Sequence, residues 1–147
     1  MRPREKRVLF VCTGNAGRSQ IAEALFARMA ISDVAVCSAG VAPWAHLHPV
    51  AVQLLQERGI ATAECHPKHV REFLETPLDW VVTIGDRALA ETPRFKCNPV
   101  FVHWDIPDPA DADGTGQEEA AFRRTFTMIA ERLPGLCDLV RNGTPSY

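Results

Sequence analysis

A cysteine and an arginine separated by five residues form the pattern in this chain that could do chemistry. Cys12 ends a short apolar run, and Arg18 stands just before a helical pattern. The residues between them are Thr13, Gly14, Asn15, Ala16 and Gly17. A loop of this kind between a strand and a helix turns backbone N–H groups inward, and the helix N-terminus adds its positive end. We therefore predict a site for a tetrahedral oxyanion, with Cys12 as a thiolate nucleophile at neutral pH.

The side chains of this segment have distinct roles in the predicted oxyanion site. Arg18 presents two parallel N–H donors to the anion, a geometry that lysine does not reproduce. The backbone N–H groups of residues 13–18 bind the remaining oxygens and stabilise the charge of the transition state. Asn15 tolerates a left-handed backbone, and Ser19 is placed to hydrogen-bond the thiolate. The predicted oxyanion-binding residues are Thr13, Gly14, Asn15, Ala16, Gly17, Arg18 and Ser19.

A second candidate group is Asp108, which stands between two prolines. Thiolate attack on a phosphate monoester expels an alkoxide or phenoxide, so the reaction needs a general acid. A carboxylic acid on a loop supplies that proton and then activates the water that hydrolyses the Cys-phosphate. We predict that Asp108 is this acid; Asp105 is the second candidate and Asp86 the third. Asp111 and Asp113 are interpreted as residues that only shape their turn.

The elements that must position these residues alternate between strands and helices. Apolar runs predict strands at Val8–Val11, Asp33–Cys37, Trp80–Ile84 and Val100–Trp104. Helices are predicted from Ile21 onward and over Pro49–Glu57, Lys68–Leu74, Asp86–Glu91 and Gln117–Val140, with Pro134 expected to kink or divide the last. The alternation predicts the α/β class, a three-layer α/β/α fold with a four-stranded parallel sheet. Ligands of such sheets bind at the carboxyl ends of the strands, where Cys12 stands.

The loop before the second helix holds His46, His48 and Trp44. For the two histidines, capping and packing are favoured over catalysis. Trp44 is interpreted either as the rim of the pocket or as an ordinary surface aromatic. The other histidines, His66, His69 and His103, show no ligand spacing, which argues against a metal site.

The composition is that of an ordinary globular protein, with 46% hydrophobic and 23% charged residues among 147. We expect one domain over residues 1–147, with residues 1–6 as a flexible tail. A net charge of −2 argues against nucleic-acid partners. No apolar run suits a membrane span or a signal peptide, so we expect no membrane partner. The five cysteines show no CxxC pair, which favours free thiols in the cytoplasm and neither a metal nor a cofactor.

The segment VLFVCTGNAGRSQ, residues 8–20, strongly resembles the active-site loop of the low-molecular-weight protein tyrosine phosphatase superfamily. Further motifs that match in the same order are Ser38-Ala39-Gly40, Leu47-His48-Pro49, Arg58-Gly59-Ile60 and Asp108-Pro109. The resemblance implies a four-stranded parallel sheet with flanking helices. It also implies Cys12 as nucleophile, Arg18 as oxyanion clamp, Asn15 and Ser19 as supports of the loop, and Asp108 as general acid.

Within the superfamily, the chain is more similar to the arsenate reductase branch. The similar segments are Arg18-Ser19-Gln20 before an Ala/Glu helix, His103-Trp104, Pro107-Asp108-Pro109-Ala110, and Gly116 ahead of Glu118-Glu119. Tyrosine phosphatases usually carry two aromatic residues after the Asp-Pro pair, whereas this chain has Ala110 and Asp111. This difference weakens a phosphotyrosine interpretation.

The resemblance also implies relay cysteines that this chain lacks. Thioredoxin-coupled reductases of the branch use two further cysteines after the third strand, whereas residues 83–93 here contain no thiol. Many tyrosine phosphatases have a second cysteine inside the loop, where this chain has Gly17. Cys97 is the nearest substitute along the chain, but it is out of register. Cys12 is therefore expected to have no resolving partner within the protein.

Three functions remain open at this point. The favoured one is an arsenate reductase-like enzyme that depends on an external small thiol or a glutaredoxin-type reductant. The alternative is a low-molecular-weight phosphatase that hydrolyses phosphomonoesters through a Cys-phosphate. The third is an oxyanion-binding sensor without turnover, which would need neither a nucleophile nor an acid. The expected partners are an oxyanion substrate, arsenate or a phosphomonoester, and an external thiol.

Overall fold

A four-stranded parallel sheet forms the centre of the computed structural model, which describes residues 5–143. The strands are β1 (Lys6–Cys12), β2 (Val34–Gly40), β3 (Trp80–Ile84) and β4 (Val100–Trp104). Their order across the sheet is β2-β1-β3-β4, and all three pairings are parallel. β1 and β3 are the central strands and read as continuous apolar runs because both of their faces are covered. The predicted α/β class with a four-stranded parallel sheet is confirmed.

Within residues 5–143, four helices and two 3-10 turns lie between the strands or follow the last one. The helices are α1 (Arg18–Arg28), α2 (Pro49–Glu57), α3 (Asp86–Glu91) and α4 (Glu118–Asn142). The 3-10 turns cover Val70–Phe73, within the predicted short helix, and Pro109–Ala112, within the predicted loop. In the described part of the chain, none of these helices is both long and apolar enough to traverse a bilayer.

The last helix continues through Pro134 to Asn142, so the expected division at the proline does not occur. Pro134 lies on the exposed face of α4. Water there can bind the carbonyl group that the proline ring leaves without its helical N–H partner. On the opposite face, Leu133 and Leu136 are buried in the core and hold the helix against the sheet on both sides of the proline.

The first strand begins at Lys6, two residues before the predicted start at Val8. The backbone N–H of Lys6 donates to the carbonyl oxygen of Asp33 at 2.9 Å, and Lys6 pairs with Val34. Lys6 therefore belongs to the sheet, because its pairing with β2 fixes its backbone, and it is not part of a flexible tail. The remainder of the predicted tail up to residue 4 lies outside the described residues.

Alternate residues of β1 face two different cores. Val8, Phe10 and Cys12 belong to the core that is covered by α1, α2 and α4. Leu9 and Val11 belong to the core on the opposite face of the sheet. This alternation is the ordinary two-residue period of a strand, and it directs the Cys12 side chain toward the layer that holds α1 and α4.

Candidate active site

The loop between β1 and α1, residues 12–18 and called the oxyanion loop below, encloses the sulfur of Cys12. Cys12 is 2% exposed, and Asn15 and Ser19 are fully buried. The Cys12 Sγ atom lies 2.9 Å from Ser19 Oγ and accepts the backbone N–H of Asn15 at 3.3 Å. When Cys12 is a thiolate, both neighbours donate to it, which is the arrangement that stabilises a buried anion.

The Asn15 side chain holds the shape of the oxyanion loop. Asn15 has the left-handed backbone that was predicted for it, with φ of 51°. Its Nδ2 group donates to Ser19 Oγ at 2.7 Å and to Ser38 Oγ at 3.0 Å. Its Oδ1 atom accepts the backbone N–H of Lys68 at 2.9 Å. The loop is therefore fixed to β2 and to the segment that follows α2, which the local sequence pattern did not reveal.

The Arg18 guanidinium lies at the carboxyl end of the sheet and is 5% exposed. Its Nη1 group donates to the carbonyl oxygen of Ile106 at 2.8 Å. A Cβ atom added to Gly85 would collide with Nη1, and Gly85 has φ of 91° and ψ of 161°. The backbone at Gly85 therefore packs directly against the guanidinium. The amino-acid sequence gave no indication of this contact, because residues 18 and 85 are far apart along the chain.

Asp108 approaches the same guanidinium from the segment of residues 105–117, called the acid loop below. Its Oδ2 atom lies 3.5 Å from Arg18 Nη2, and the side chain is 38% exposed. Its Oδ1 atom accepts the backbone N–H of Ala110 at 2.9 Å and caps the 3-10 turn over Pro109–Ala112. Asp108 thus combines a solvent-accessible carboxyl group with a fixed orientation beside the arginine.

An open pocket with an empty volume of about 270 Å³ lies between these groups. Its lining residues are Cys12, Gly14, Ala16, Gly17, Arg18, Trp44, His48, Asp108, Ala110 and Phe122. Cys12, Arg18 and Asp108, the three predicted catalytic residues, are therefore brought together around one space. Trp44 forms part of its wall, which matches the first of the two interpretations of that residue. Thr13, Asn15 and Ser19 do not line the space and instead contact Arg18 or Cys12.

The two other acid candidates, Asp105 and Asp86, do not line this pocket. Together with His103 they form a group whose possible metal-ligating atoms all lie within 4.8 Å of one another, and all three residues are exposed. The Nδ1 atom of His103 is 2.8 Å from Thr83 Oγ1. Exposed carboxylates of this kind are common without a metal ion, and no further feature of the site indicates one.

The four other cysteines lie away from the pocket. Cys37 pairs with Leu9, three residues before Cys12, so the two α-carbons are roughly 10 Å apart along the sheet, beyond the limit of about 7 Å for a disulfide. Cys37 also packs with the core on the opposite face of the sheet. Burial, together with the charge of Glu23, raises its pKa to about 12. It is therefore a thiol without nucleophilic character at neutral pH.

The remaining three thiols have other neighbours. Cys97 Sγ accepts the backbone N–H of Leu78 at 3.4 Å. Leu78 lies just before β3, so Cys97 is at the amino end of the parallel strands, whereas Cys12 is at their carboxyl end. The Cys137 Sγ atom lies 3.2 Å from Met29 Sδ. Cys65 follows α2, and burial raises the pKa of both Cys65 and Cys137. All five cysteines are free, and only Cys12 lines the pocket.

Comparison with known proteins identifies the family of the chain. The model of the family described as "Low molecular weight phosphotyrosine protein phosphatase" matches residues 7–144. The arsenate reductase of Halalkalibacterium halodurans is 37% identical over 131 residues, which cover 88% of this chain and 93% of that protein. The glutaredoxin arsenate reductase of Synechocystis sp. is 28% identical over 131 residues, which cover 89% of this chain and 95% of that protein.

A solved structure has the same fold. The arsenate reductase from Archaeoglobus fulgidus superposes with a TM-score of 0.71 at 34% sequence identity, covering 88% of this chain and 97% of that one. The family match, the similarity along almost the whole chain and the shared fold all agree with the resemblance found in the sequence. The chain therefore belongs to the low molecular weight phosphotyrosine protein phosphatase family, and it is an arsenate reductase-like enzyme of that family.

Proposed function

We propose that this protein reduces arsenate through a covalent adduct on Cys12 and that the reductant is a thiol from outside the chain. The observation that carries the proposal is the composition of the pocket. Cys12, Arg18 and Asp108 all line it, whereas none of the four other cysteines does. The site therefore has a nucleophile, an anion clamp and an acid, but no second thiol.

The first step follows from the chemistry of these three groups. The Cys12 thiolate attacks the arsenic atom while two N–H groups of Arg18 bind equatorial oxygens of the anion. Asp108 donates a proton to the oxygen that leaves as water. An S–As bond forms and an As–O bond breaks, with arsenic still in its pentavalent state.

The second step requires two electrons. An external thiol attacks Cys12 Sγ, the S–As bond breaks, and its electron pair remains on arsenic, which leaves as arsenite. Cys12 is then part of a mixed disulfide with the external thiol, and a second external thiol releases it by thiol–disulfide exchange. The two thiols are oxidised to one disulfide, which balances the reduction of arsenate.

A glutaredoxin-type system is the reductant that we propose. Support comes from the similarity to the Synechocystis protein, which is named a glutaredoxin arsenate reductase. In the two steps above both reducing thiols come from outside the chain, so no second cysteine in the pocket is required. The five free cysteines agree with a reducing compartment, so we propose that the protein acts in the cytoplasm.

The test is arsenate reduction by the purified protein with three separate reductants. These are thioredoxin with its reductase, glutathione with glutaredoxin, and mycothiol with mycoredoxin. We expect turnover with one of the last two, none with thioredoxin alone, and none for Cys12→Ser. Cys65→Ser and Cys97→Ser are expected to keep the activity. Thioredoxin-dependent turnover that is lost in either variant would mean that a relay thiol exists and that the proposal is wrong.

Hydrolysis of phosphomonoesters is the second candidate function, and the pocket walls favour it. Trp44 lines the space and its side chain is exposed, so an aryl group has an aromatic surface to contact. Water replaces the external thiol, and Asp108 acts first as acid and then as base. Turnover of p-nitrophenyl phosphate without any arsenate reduction would favour this function over the first.

A further inference from the structure

We propose that the hydrogen bond between His48 and Asp113 positions the general acid Asp108 over Cys12, so that His48 is a positioning residue for the acid step. This inference rests on the role of Asp108 in the proposed function. The His48 Nε2 atom lies 2.7 Å from Asp113 Oδ1. From the sequence alone, His48 was expected to serve in capping and packing, and Asp113 only to shape its turn.

The orientation of the His48 ring is set by its position at the start of α2. Its Nδ1 atom accepts the backbone N–H of Val50 at 3.1 Å, so His48 is the N-cap of the helix. In the neutral imidazole the proton is therefore on Nε2, which donates to Asp113. The cap confirms the predicted role of His48 and at the same time aims its other nitrogen at the acid loop.

The same residue is bound to the oxyanion loop. The backbone N–H of His48 donates to the carbonyl oxygen of Ala16 at 2.9 Å. His48 thus has one bond to the loop that carries the nucleophile and one bond to the loop that carries the acid. His48 therefore links the two loops that carry the reacting groups, in addition to the bond between Arg18 and the carbonyl oxygen of Ile106.

The His48 ring has little freedom to move. Its side chain is 8% exposed. The ring centroid lies 4.4 Å from that of Phe122 and 5.7 Å from that of Trp44. Because the ring is packed between two aromatic side chains that line the pocket, it can hold Asp113 at a fixed point.

Asp113 and Asp108 are the two ends of one compact turn. The backbone N–H of Asp111 donates to the carbonyl oxygen of Asp108 at 3.1 Å, and that of Asp113 donates to Ala110 at 3.0 Å. These bonds make residues 108–113 a single unit, so fixing Asp113 also fixes Asp108. At the other end, Asp108 itself lies 3.5 Å from Arg18, and the bond of Arg18 to the carbonyl oxygen of Ile106 holds the chain before the turn, so the bond to His48 is the polar side-chain anchor at the Asp113 end.

The test compares Asp113→Ala with Asp113→Asn and with Asp111→Ala. The Asp113→Asn variant would keep an oxygen that accepts from Nε2, while Asp111 is an exposed aspartate of the same turn and serves as the matched control. The measured quantity is kcat/KM, which reports formation of the Cys-phosphate, for phenyl phosphate and for 2,4-dinitrophenyl phosphate. The first has a poor leaving group that needs the acid, and the second has a good one that does not.

We expect Asp113→Ala to lower kcat/KM at least tenfold for phenyl phosphate and less than twofold for the dinitrophenyl ester. Asp113→Asn is expected to stay within threefold of the wild type on both esters, and Asp111→Ala to leave both values unchanged. A residue that merely stabilised the fold would affect the two esters equally. Equal losses on both esters, or no loss on phenyl phosphate, would overturn the inference.

Asp108→Asn separates this inference from the proposed function. If Asp108→Asn lowers kcat/KM by the same factor for both esters, the assignment of Asp108 as the acid is wrong. If Asp108→Asn lowers kcat/KM mainly for phenyl phosphate but Asp113→Ala does not, only the positioning role is wrong. Hydrogen exchange of the acid-loop amides provides a measurement that needs no turnover. In Asp113→Ala we expect the backbone amides of residues 110 and 113 to exchange at least tenfold faster than in the wild type. Unchanged exchange rates would refute the bond to His48 as an anchor of the turn.

Discussion

Replacing Gly85 by alanine is expected to damage anion binding even though Gly85 touches no substrate. An alanine Cβ at this position would collide with Arg18 Nη1. The guanidinium fills a buried site with its own acceptor, the carbonyl oxygen of Ile106 at 2.8 Å, so it can move away only by breaking that bond. The proposed mechanism requires two N–H groups of Arg18 to bind the anion, and a displaced guanidinium would lose that orientation.

The size of the effect follows from the bonds involved. Losing one charge-assisted hydrogen bond to the anion costs about 1.5–3 kcal/mol, which corresponds to a roughly 10- to 150-fold higher Kd for phosphate. Stability is also affected, because Gly85 has φ of 91° and ψ of 161°, a region that alanine avoids. That backbone strain costs about 1–3 kcal/mol, in addition to the lost bond between Arg18 and Ile106.

The assay is calorimetric titration with phosphate, together with urea unfolding of the same samples. Gly59→Ala is the matched control, since Gly59 also has a positive φ of 73°, but an added Cβ would meet only Arg28 Nη2 at an ordinary distance of 3.5 Å. We expect this control to lose about 1 kcal/mol of unfolding free energy and to bind phosphate like the wild type. A folded Gly85→Ala protein that binds phosphate within threefold of the wild type would refute the reasoning.

Three further predictions concern the loop, the last helix and a buried thiol. Asn15→Ala is expected to lower the unfolding free energy by about 2–4 kcal/mol in urea titrations, because it removes the acceptor of the partly buried Lys68 N–H and the donor to Ser19 and Ser38, and puts alanine at φ of 51°. Pro134→Ala is expected to raise it by about 1–3 kcal/mol in the same assay, since the missing helical hydrogen bond is restored; a lower midpoint would contradict this. Because the folded protein raises the pKa of Cys37 from 9.0 to about 12, the contribution of Cys37 to stability should be constant below pH 9 and be lost between pH 9 and 12. Cys37→Ala should reduce that fall, and an unchanged slope in pH-dependent unfolding would exclude Cys37 as its cause.

The fold could be predicted, and the candidate reacting groups could be named, because the signals for both are local. Apolar runs and glycine or proline breaks mark the strands within short windows, and parallel topology follows from the alternation with helices. The residues from Cys12 to Arg18 are contiguous, so their spacing alone indicates a strand, an anion-binding loop and a helix. The effect of Pro134 could not be predicted in the same way, because it depends on which face of the helix is exposed.

The sequence by itself determined the candidate nucleophile Cys12, the candidate clamp Arg18, the acid candidate Asp108 and the end of the sheet at which they meet. Only the tertiary structure decided how these groups are held: the Gly85 backbone against Arg18, and the bond from His48 to Asp113. The physical reason is that both contacts join segments that are 65 or more residues apart, and no local pattern encodes which backbone approaches a guanidinium or which carboxylate meets a histidine. A glycine after a strand and an aspartate in a turn have ordinary local explanations, and their function becomes visible only when the chain has folded.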